Sequence, residues 1–392
     1  MSEGAKASLL GERAQIAVER ALSEFRSGRP VRITSAGDAI TALPVDGMTE
    51  AMLAGFRLLS RPVRPFLLVT ARRARAMGVE ASGPTGIALP DVCSAAEIFS
   101  LASATQVSRQ LELVPAGAGA GAAIQLAKFA QRLPGLLIGA GEAAAVRTCE
   151  PPLVAVPAEA VAQYRRASAA ALSVAAETTI PLGGFSARFV VFRDGSGGTP
   201  LAVIVGSPHP TQPVPVRLHS ACLTGDVFGS RRCDCGDQLR LALRQLAQHG
   251  GGIVLYLEQE GRGLGLANKI RAYQLQDGGL DTVDANSVLG FDDDEREYGI
   301  AVRMLRMLGC TRVRLMTNNP RKLDELSRAG IDVCGRVPLH GPINADNRRY
   351  LAAKATRSGH QLDHVLGALA EPAQSGAARR MPVEPGRRVP RR

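Results

Sequence analysis

The sequence predicts an α/β protein: a mixed-sheet domain over residues 176–370, preceded by a second α/β domain over 1–175 and followed by a disordered basic tail over 371–392. Three observations carry this. A chain of 392 residues exceeds what one ordinary hydrophobic core organises, so two domains are expected. Helical-period segments alternate along it with short apolar runs punctuated by Gly and Pro. The last stretch sets six arginines against two glutamates amid Pro, Gly and Ser, a composition that cannot build a core.

In the first domain, residues 13–26 read as a helix with apolar positions at Ile16, Ala17 and Ala21. Ser27-Gly28-Arg29-Pro30 then turns the chain into a strand at Val31-Arg32-Ile33. Residues 48–59 read as helix, 66–70 as a buried strand, 71–77 as a short helix, and an Ala/Gly run at 116–123 leads into a helix reaching about Gln131. No compact set of acids, histidines or cysteines stands here: Cys93, Cys149, Asp38 and Asp46 are isolated.

In the second domain, 185–193 and 201–207 flank Asp194-Gly195-Ser196-Gly197-Gly198 and read as a β-hairpin. Strands are expected at 214–219, 252–257, 312–317 and 331–339. Helices are expected at 237–249, 264–276, 296–308 and 320–329, the last with Pro320 in its first turn.

The chemistry concentrates between these elements. Cys222 stands ahead of Cys233-Asp234-Cys235 with ten intervening residues, among Asp, Arg, Gly and Ser rather than in an apolar run. Three thiolates on one soft ion leave a fourth position open, the pattern of catalytic rather than structural zinc. After the strand at 252–257, Glu260 and Arg262 flank Gly261. The glycines from Gly261 to Gly265 superficially resemble a dinucleotide fingerprint, but their spacing is wrong. After 312–317, Thr317, Asn318, Asn319, Arg321 and Lys322 gather at a helix start, a ready anion site. The acidic run 292–297, DDDERE, reads as a solvated helix start.

Composition narrows the partners. The net charge is +11, of which the tail supplies +4, and no basic stripe interleaved with aromatics marks a nucleic-acid surface. A polyanionic small molecule accounts for a mildly positive body equally well. Seven cysteines, an odd number, and a polar opening predict a reducing cytoplasm, and no apolar run reaches membrane-spanning length.

Across residues 177–362 the chain closely resembles GTP cyclohydrolase II, through RLHSACLTGD, RCDCGDQL, YLEQEGRGLGLANKIRAYQLQDGGLDTVDAN, DEREYG and LMTNNPRK in family order. The resemblance implies zinc-dependent opening of the GTP imidazole ring at C8, with release of formate and pyrophosphate, as the first step of riboflavin biosynthesis. It implies Cys222, Cys233 and Cys235 as ligands of one zinc per subunit, magnesium with the triphosphate, and a homodimer. GTP would be lined by Arg217, Leu218, His219, Ser220, Ala221, Gln238, Glu260, Gly261, Arg262, Thr282, Thr317 and Lys322. Tyr273, Asp294 and Arg296 match the family's catalytic positions. Family descriptions make the arginine at position 296 a nucleophile; a guanidinium, protonated to above about pH 12, is better suited to stabilising phosphoryl charge. One departure stands out: Ala221 occupies a position where the family commonly has Glu. The alternatives are a paralogue with altered product or nucleotide, and a GTP-binding regulator without turnover.

The first domain is similar to 3,4-dihydroxy-2-butanone 4-phosphate synthase at 25–31, FRSGRPV, and 66–70, FLLVT. That family's acidic magnesium loop is replaced by Thr34-Ser35-Ala36-Gly37-Asp38-Ala39. The expectation is a degenerate, non-catalytic domain kept for packing, dimerisation or regulation.

Overall fold

The computed structural model describes residues 11–107, 110–139, 150–209, 212–362 and 367; the basic tail and Cys149 lie outside them. The first half runs α1 (Arg13–Arg26), β1 (Val31–Ser35), β2 (Asp38–Pro44), α2 (Glu50–Leu59), β3 (Phe66–Val69), α3 (Ala71–Ala76), β4 (Thr85–Ile87), α4 (Ala95–Ser103), β5 (Leu113–Val114), α5 (Ala120–Phe129), β6 (Gly135–Gly139), β7 (Ala155–Pro157) and α6 (Ala158–Ala170). The second half runs β8 (Ser173–Leu182), β9 (Phe185–Arg193), β10 (Leu201–Val205), β11 (Val214–Ser220), α7 (Leu223–Asp226), α8 (Cys235–Gln248), β12 (Gly252–Leu257), a 3-10 turn (Glu260–Gly263), α9 (Leu266–Asp277), α10 (Thr282–Val288), α11 (Gly299–Met307), β13 (Arg312–Met316), α12 (Pro320–Arg328), β14 (Asp332–Val337) and α13 (Arg348–Arg357).

Each half builds one seven-stranded sheet. The first has the order β5-β4-β3-β6-β2-β1-β7, antiparallel except where β1 meets β7. The second has the order β14-β13-β11-β12-β10-β9-β8: β14, β13, β11 and β12 are parallel, and β10, β9 and β8 continue antiparallel. This is the expected pair of α/β sheets, the second of them mixed. The hairpin read around residues 194–198 is β9–β10, paired from Val191↔Leu201 to Ala187↔Val205.

Local sequence explains the helices. In α1 the buried face is Val18, Ala21, Leu22 and Phe25, a helical repeat turned from the Ile16, Ala17 and Ala21 stripe that the sequence suggested. Ser94 and Glu97 close a capping box on α4, and the Asp281 carboxylate accepts from Val283 N and Asp284 N at the start of α10. Helix α11 begins at Gly299, three residues later than expected, because Asp294 and Arg296 pair with each other in the preceding loop. The acidic run is therefore no solvated helix start: it is irregular loop whose Asp294 and Glu295 side chains are nearly buried.

The halves share a core. One face of the first sheet packs α1, α5 and α6 through Phe25, Ile33 and Ile138. Its other face takes Leu53, Phe56 and Ile98 from its own helices, and also Leu264, Ala272, Ala285, Leu289 and Phe291 from the second half. Burying an apolar side chain of this size contributes about 1.5–3 kcal/mol, so α9 and α10 are anchored on the first sheet. Polar bolts reinforce the contact: the Thr70 hydroxyl donates to Gly290 O at 2.8 Å, and Arg73 to Leu101, Ala104 and Val288 carbonyls. Burial pulls the Arg73 guanidinium down to about 10. Asp46, isolated in sequence, pairs with Arg271 at 2.5 Å.

Candidate active site

Parallel strands β13, β11 and β12 lie side by side, and their carboxyl ends deliver three loops to one edge of the sheet, where open α/β sheets bind ligands. The loop after β11 carries Ser220, Ala221 and Cys222. The one after β12 carries Glu260, Gly261 and Arg262, and the one after β13 carries Thr317 to Asn319 and the start of α12.

The thiols of Cys222, Cys233 and Cys235 converge, with all three Sγ atoms within 4.8 Å of one another and Cys222 to Cys233 at 3.6 Å. Tetrahedral thiolates at about 2.3 Å from zinc stand roughly 3.8 Å apart, so this donor set fits a soft metal ion. No fourth His, Cys, Asp or Glu joins the group among the described residues, and no second such group occurs among them. Hydrogen bonds from Cys233 and Cys235, helped by the Lys269 ammonium 3.1 Å away, hold the Cys222 thiol far below its usual range; Cys233 is pushed up to about 11 by sharing with Cys222.

The surroundings hold the cluster in place. Asp226 accepts from Cys222 N at 2.9 Å, from the Tyr256 hydroxyl at 2.9 Å and from His219 Nε2 at 3.1 Å. Lys269 Nζ reaches Cys222 Sγ, Thr224 Oγ1 at 2.7 Å and Glu260 Oε1 at 2.8 Å. Glu260 also accepts from Leu223 N at 2.6 Å. Gly261 and Arg262 both sit at left-handed φ, 61° and 63°, and a Cβ on Gly261 would come 3.0 Å from Lys269 Cβ. Glycine is thus required at 261 twice over, and Arg262 holds a conformation that side chains disfavour, a strain found at functional sites.

Two cavities adjoin here. The first, about 90 Å³, opens on the cysteines and is lined by Ala221, Glu260, Tyr273, Thr282 and Arg296 among others. The second, about 70 Å³, collects Arg217, Arg262, Arg296, Lys322 and Lys354 around a single carboxylate, Asp234. Ser220, Cys235, Arg262, Arg296 and Tyr350 belong to both. Asp234 is committed to Lys354 at 2.7 Å and to Gln238 at 2.6 Å, so the remaining cations face the second cavity without an anion lining it. Burial, with Arg217 and Arg296 nearby, drives the Lys322 ammonium well below its usual range; its Nζ donates to Leu218 O at 2.7 Å.

The expected GTP residues divide by what they offer. Arg217, His219, Ser220, Ala221, Gln238, Glu260, Gly261, Arg262, Thr282, Thr317 and Lys322 line the cavities. Gln238 bridges Arg217 and Asp234, and the His219 ring is tied to Asp226 and stacked on Tyr256. The Leu218 side chain is buried in the core and contributes only its carbonyl. Of the expected catalytic residues, Tyr273 and Arg296 face the first cavity. Asp294 lines neither; it stands behind Arg296, bonded to Nε at 2.7 Å and Nη2 at 2.5 Å.

Sequence reasoning missed the far wall. Helix α13 brings in Tyr350 and Lys354, spaced i,i+4, with the Lys354 ammonium 4.3 Å from the Tyr350 ring centroid. That spacing, after Asn347, was a usable helical signal. Asp226 and Lys269 carried none, since their roles arise only when α7 folds over α9.

A further cavity, about 420 Å³, lies between the halves and holds none of the cysteines. It meets the back of the site at Gln259 and Gly263 and at Glu295 and Glu297.

A profile of GTP cyclohydrolase II matches residues 173–338. The chain is 42% identical to the GTP cyclohydrolase-2 of Azospirillum brasilense over 367 residues, 90% of this chain and 95% of that protein. It is 59% identical to the GTP cyclohydrolase-2 of Pseudomonas syringae pv. tomato over 150 residues, 38% of this chain and 73% of that one. Among solved structures, RibBX, a two domain 3,4-dihydroxy-2-butanone 4-phosphate synthase from A. baumannii, aligns at a TM-score of 0.31 and 13% identity, covering 76% of this chain and 93% of that one. Likeness that weak carries no argument about the first half. Identity of 42% across nearly the whole of both chains does, and with five motifs converging on one sheet edge this chain belongs to the GTP cyclohydrolase II family, hydrolases of GTP in riboflavin biosynthesis.

Proposed function

We propose that Cys222, Cys233 and Cys235 hold one zinc ion per subunit and that GTP spans the two adjoining cavities, its purine toward the sulfurs and its triphosphate, with magnesium, among the cations. The products would be formate, pyrophosphate and 2,5-diamino-6-hydroxy-4-(5-phosphoribosylamino)pyrimidine. The observation that carries this reading is the junction itself: a cavity opening on three thiols continues into one lined by five cations and one already-paired carboxylate. When bound, zinc supplies Lewis acidity, bringing the pKa of a water from about 15.7 toward about 7.

The chain's own residues do the rest. Burial raises the Tyr273 phenol above its usual range, so it stays protonated and orients the opening ring as a hydrogen-bond donor. Burial also disfavours charge on Asp294, but hydrogen bonds from Arg296 outweigh it and hold the carboxylate ionised as a proton acceptor. Arg296, fixed in a bidentate pair, offers its guanidinium to charge developing on the phosphoryl group. Arg217, His219, Ser220, Ala221, Gln238, Glu260, Gly261, Arg262, Thr282, Thr317 and Lys322 are proposed to bind or support GTP, with Leu218 acting from behind.

We propose further that the chain divides near 175/176, with β8, which starts at Ser173, belonging to the second unit, that the first unit is a non-catalytic relative of the butanone phosphate synthases, and that the enzyme is a cytoplasmic homodimer. In support, Asp38 spends its carboxylate on Ala39 N at 2.7 Å in the tight β1–β2 turn. No helix among the described residues is long and apolar enough to cross a membrane. Incubation with GTP, zinc and magnesium should release formate and pyrophosphate in equal amounts. Tight GTP binding without formate would refute the reading.

A further inference from the structure

We infer that the first half of the chain is a positioning device for the catalysis of the second: cations on α3, α5 and α6 hold the segment 290–297, and through it the Asp294–Arg296 pair, against the site. The inference rests on the reading of that pair proposed above. The acidic run divides its side chains between two sides. Asp294 and Arg296 pair with each other, Arg296 lining both substrate cavities and Asp294 standing behind it. Asp292, Glu295 and Glu297 meet cations of the first half: Asp292 takes Arg72 at 2.9 Å, Glu295 takes Lys128 at 2.5 Å, and Glu297 pairs with Arg165. Lys128 also lies 3.5 Å from Asp292, and Arg165 donates to Glu295 O at 3.5 Å.

The grip extends to the other catalytic loop. Glu295 N donates to Arg262 O at 3.0 Å, Arg262 Nη1 donates to Asp293 O at 3.2 Å, and Gln259 Nε2 donates to Glu297 O. Gly263 leaves no slack, since a Cβ there would stand 3.0 Å from Glu295 Cβ. A shift of Glu295 therefore moves Arg262 along with Arg296. Behind the segment lies the 420 Å³ cavity between the halves, lined by Lys128, Arg165, Glu295 and Glu297. On that side the segment meets open space instead of packed core, and the ion pairs cross it.

Lys128 and Arg165 touch no expected substrate atom, so they are positioning residues. The test uses the full chain with Lys128→Met, Lys128→Arg and Arg165→Gln, and with Arg64→Ala, which breaks an exposed pair with Asp91, as a control. A displacement near 1 Å can cost about 100-fold in rate; loosening one of the three clamps should lower kcat about ten-fold, with KM and bound zinc changed less than two-fold. Hydrogen exchange across 290–297 should quicken in the Met and Gln variants, and Lys128→Arg should recover most of the rate. If Lys128→Met fails to fold, Arg165→Gln, whose side chain is one-third exposed, carries the test. Wild-type kcat in both variants, or unchanged exchange, overturns the inference. If the parent protein itself releases no formate, the proposed function fails, and the exchange measurement still decides this one.

Discussion

Lys269→Met removes the one cation that touches both a cluster sulfur and Glu260, while keeping the side chain's length and apolar stem. Lys269 and Glu260 side chains are 8% and 13% exposed. Stripping the cation from a buried pair costs about 3–5 kcal/mol. Glu260 keeps its bonds from Leu223 N at 2.6 Å and Gly261 N at 3.1 Å, so the loss falls at the lower end, about 3 kcal/mol by the same scale. Cys222 separately loses a charged donor at 3.1 Å, and loss of a partner beyond the ligands lowers metal affinity about 10–100-fold. Two measurements separate the effects. Urea unfolding with chelator present reads the Glu260 penalty, and competition against a chromophoric chelator reads the affinity for zinc. Zinc affinity within two-fold of the parent, with an unmoved unfolding midpoint, would refute the reasoning.

Ala221→Glu restores the acid the family commonly carries beside the first cysteine; turnover should hold or rise, and a large loss would mean the site is organised differently. Tyr350 walls both cavities, and burial pushes its phenol up to about 12. Tyr350→Ala should raise KM for GTP about ten-fold, the order of one lost aromatic contact, whereas Tyr350→Phe should leave steady-state kinetics near the parent's. Burial, with Lys354 and Arg262 close by, lowers His360 from 6.5 to about 3. The unfolded chain therefore binds a proton that the native one refuses, so stability contributed above pH 6.5 is lost progressively as pH falls toward 3. His360→Gln should flatten that part of the urea-midpoint profile relative to the parent.

Much of the second half was legible in the sequence because its elements are short and sharply punctuated. Residues 252–257 could be read as a buried strand, and Asn319-Pro320 as a helix start, since Asn319 accepts from Arg321 N and proline costs nothing at the first helical position. The cysteine cluster was legible for a chemical reason: three thiols among charged residues have few alternatives. The meaning of DDDERE was not. Asp292, Glu295 and Glu297 pair with Arg72, Lys128 and Arg165, more than 120 residues away in sequence, and no local pattern distinguishes a carboxylate that will meet water from one that will meet those cations. Helix α10 was missed because it is only seven residues long with few apolar positions, and the contact that fixes it, Ala285 in the core shared with the first half, is not local.

The carboxylate of Asp226, with its three donors, has one more implication. It has only lone pairs to give, so the imidazole it faces must carry its proton on Nε2, and Nδ1 is left in the interior with no partner. The tautomer is thereby settled and the ring, pulled down by burial, stays neutral. The residue type most often used to ferry protons near neutrality is here a strut, so in the proposed ring opening the proton traffic would fall to phenol, carboxylate and solvent instead.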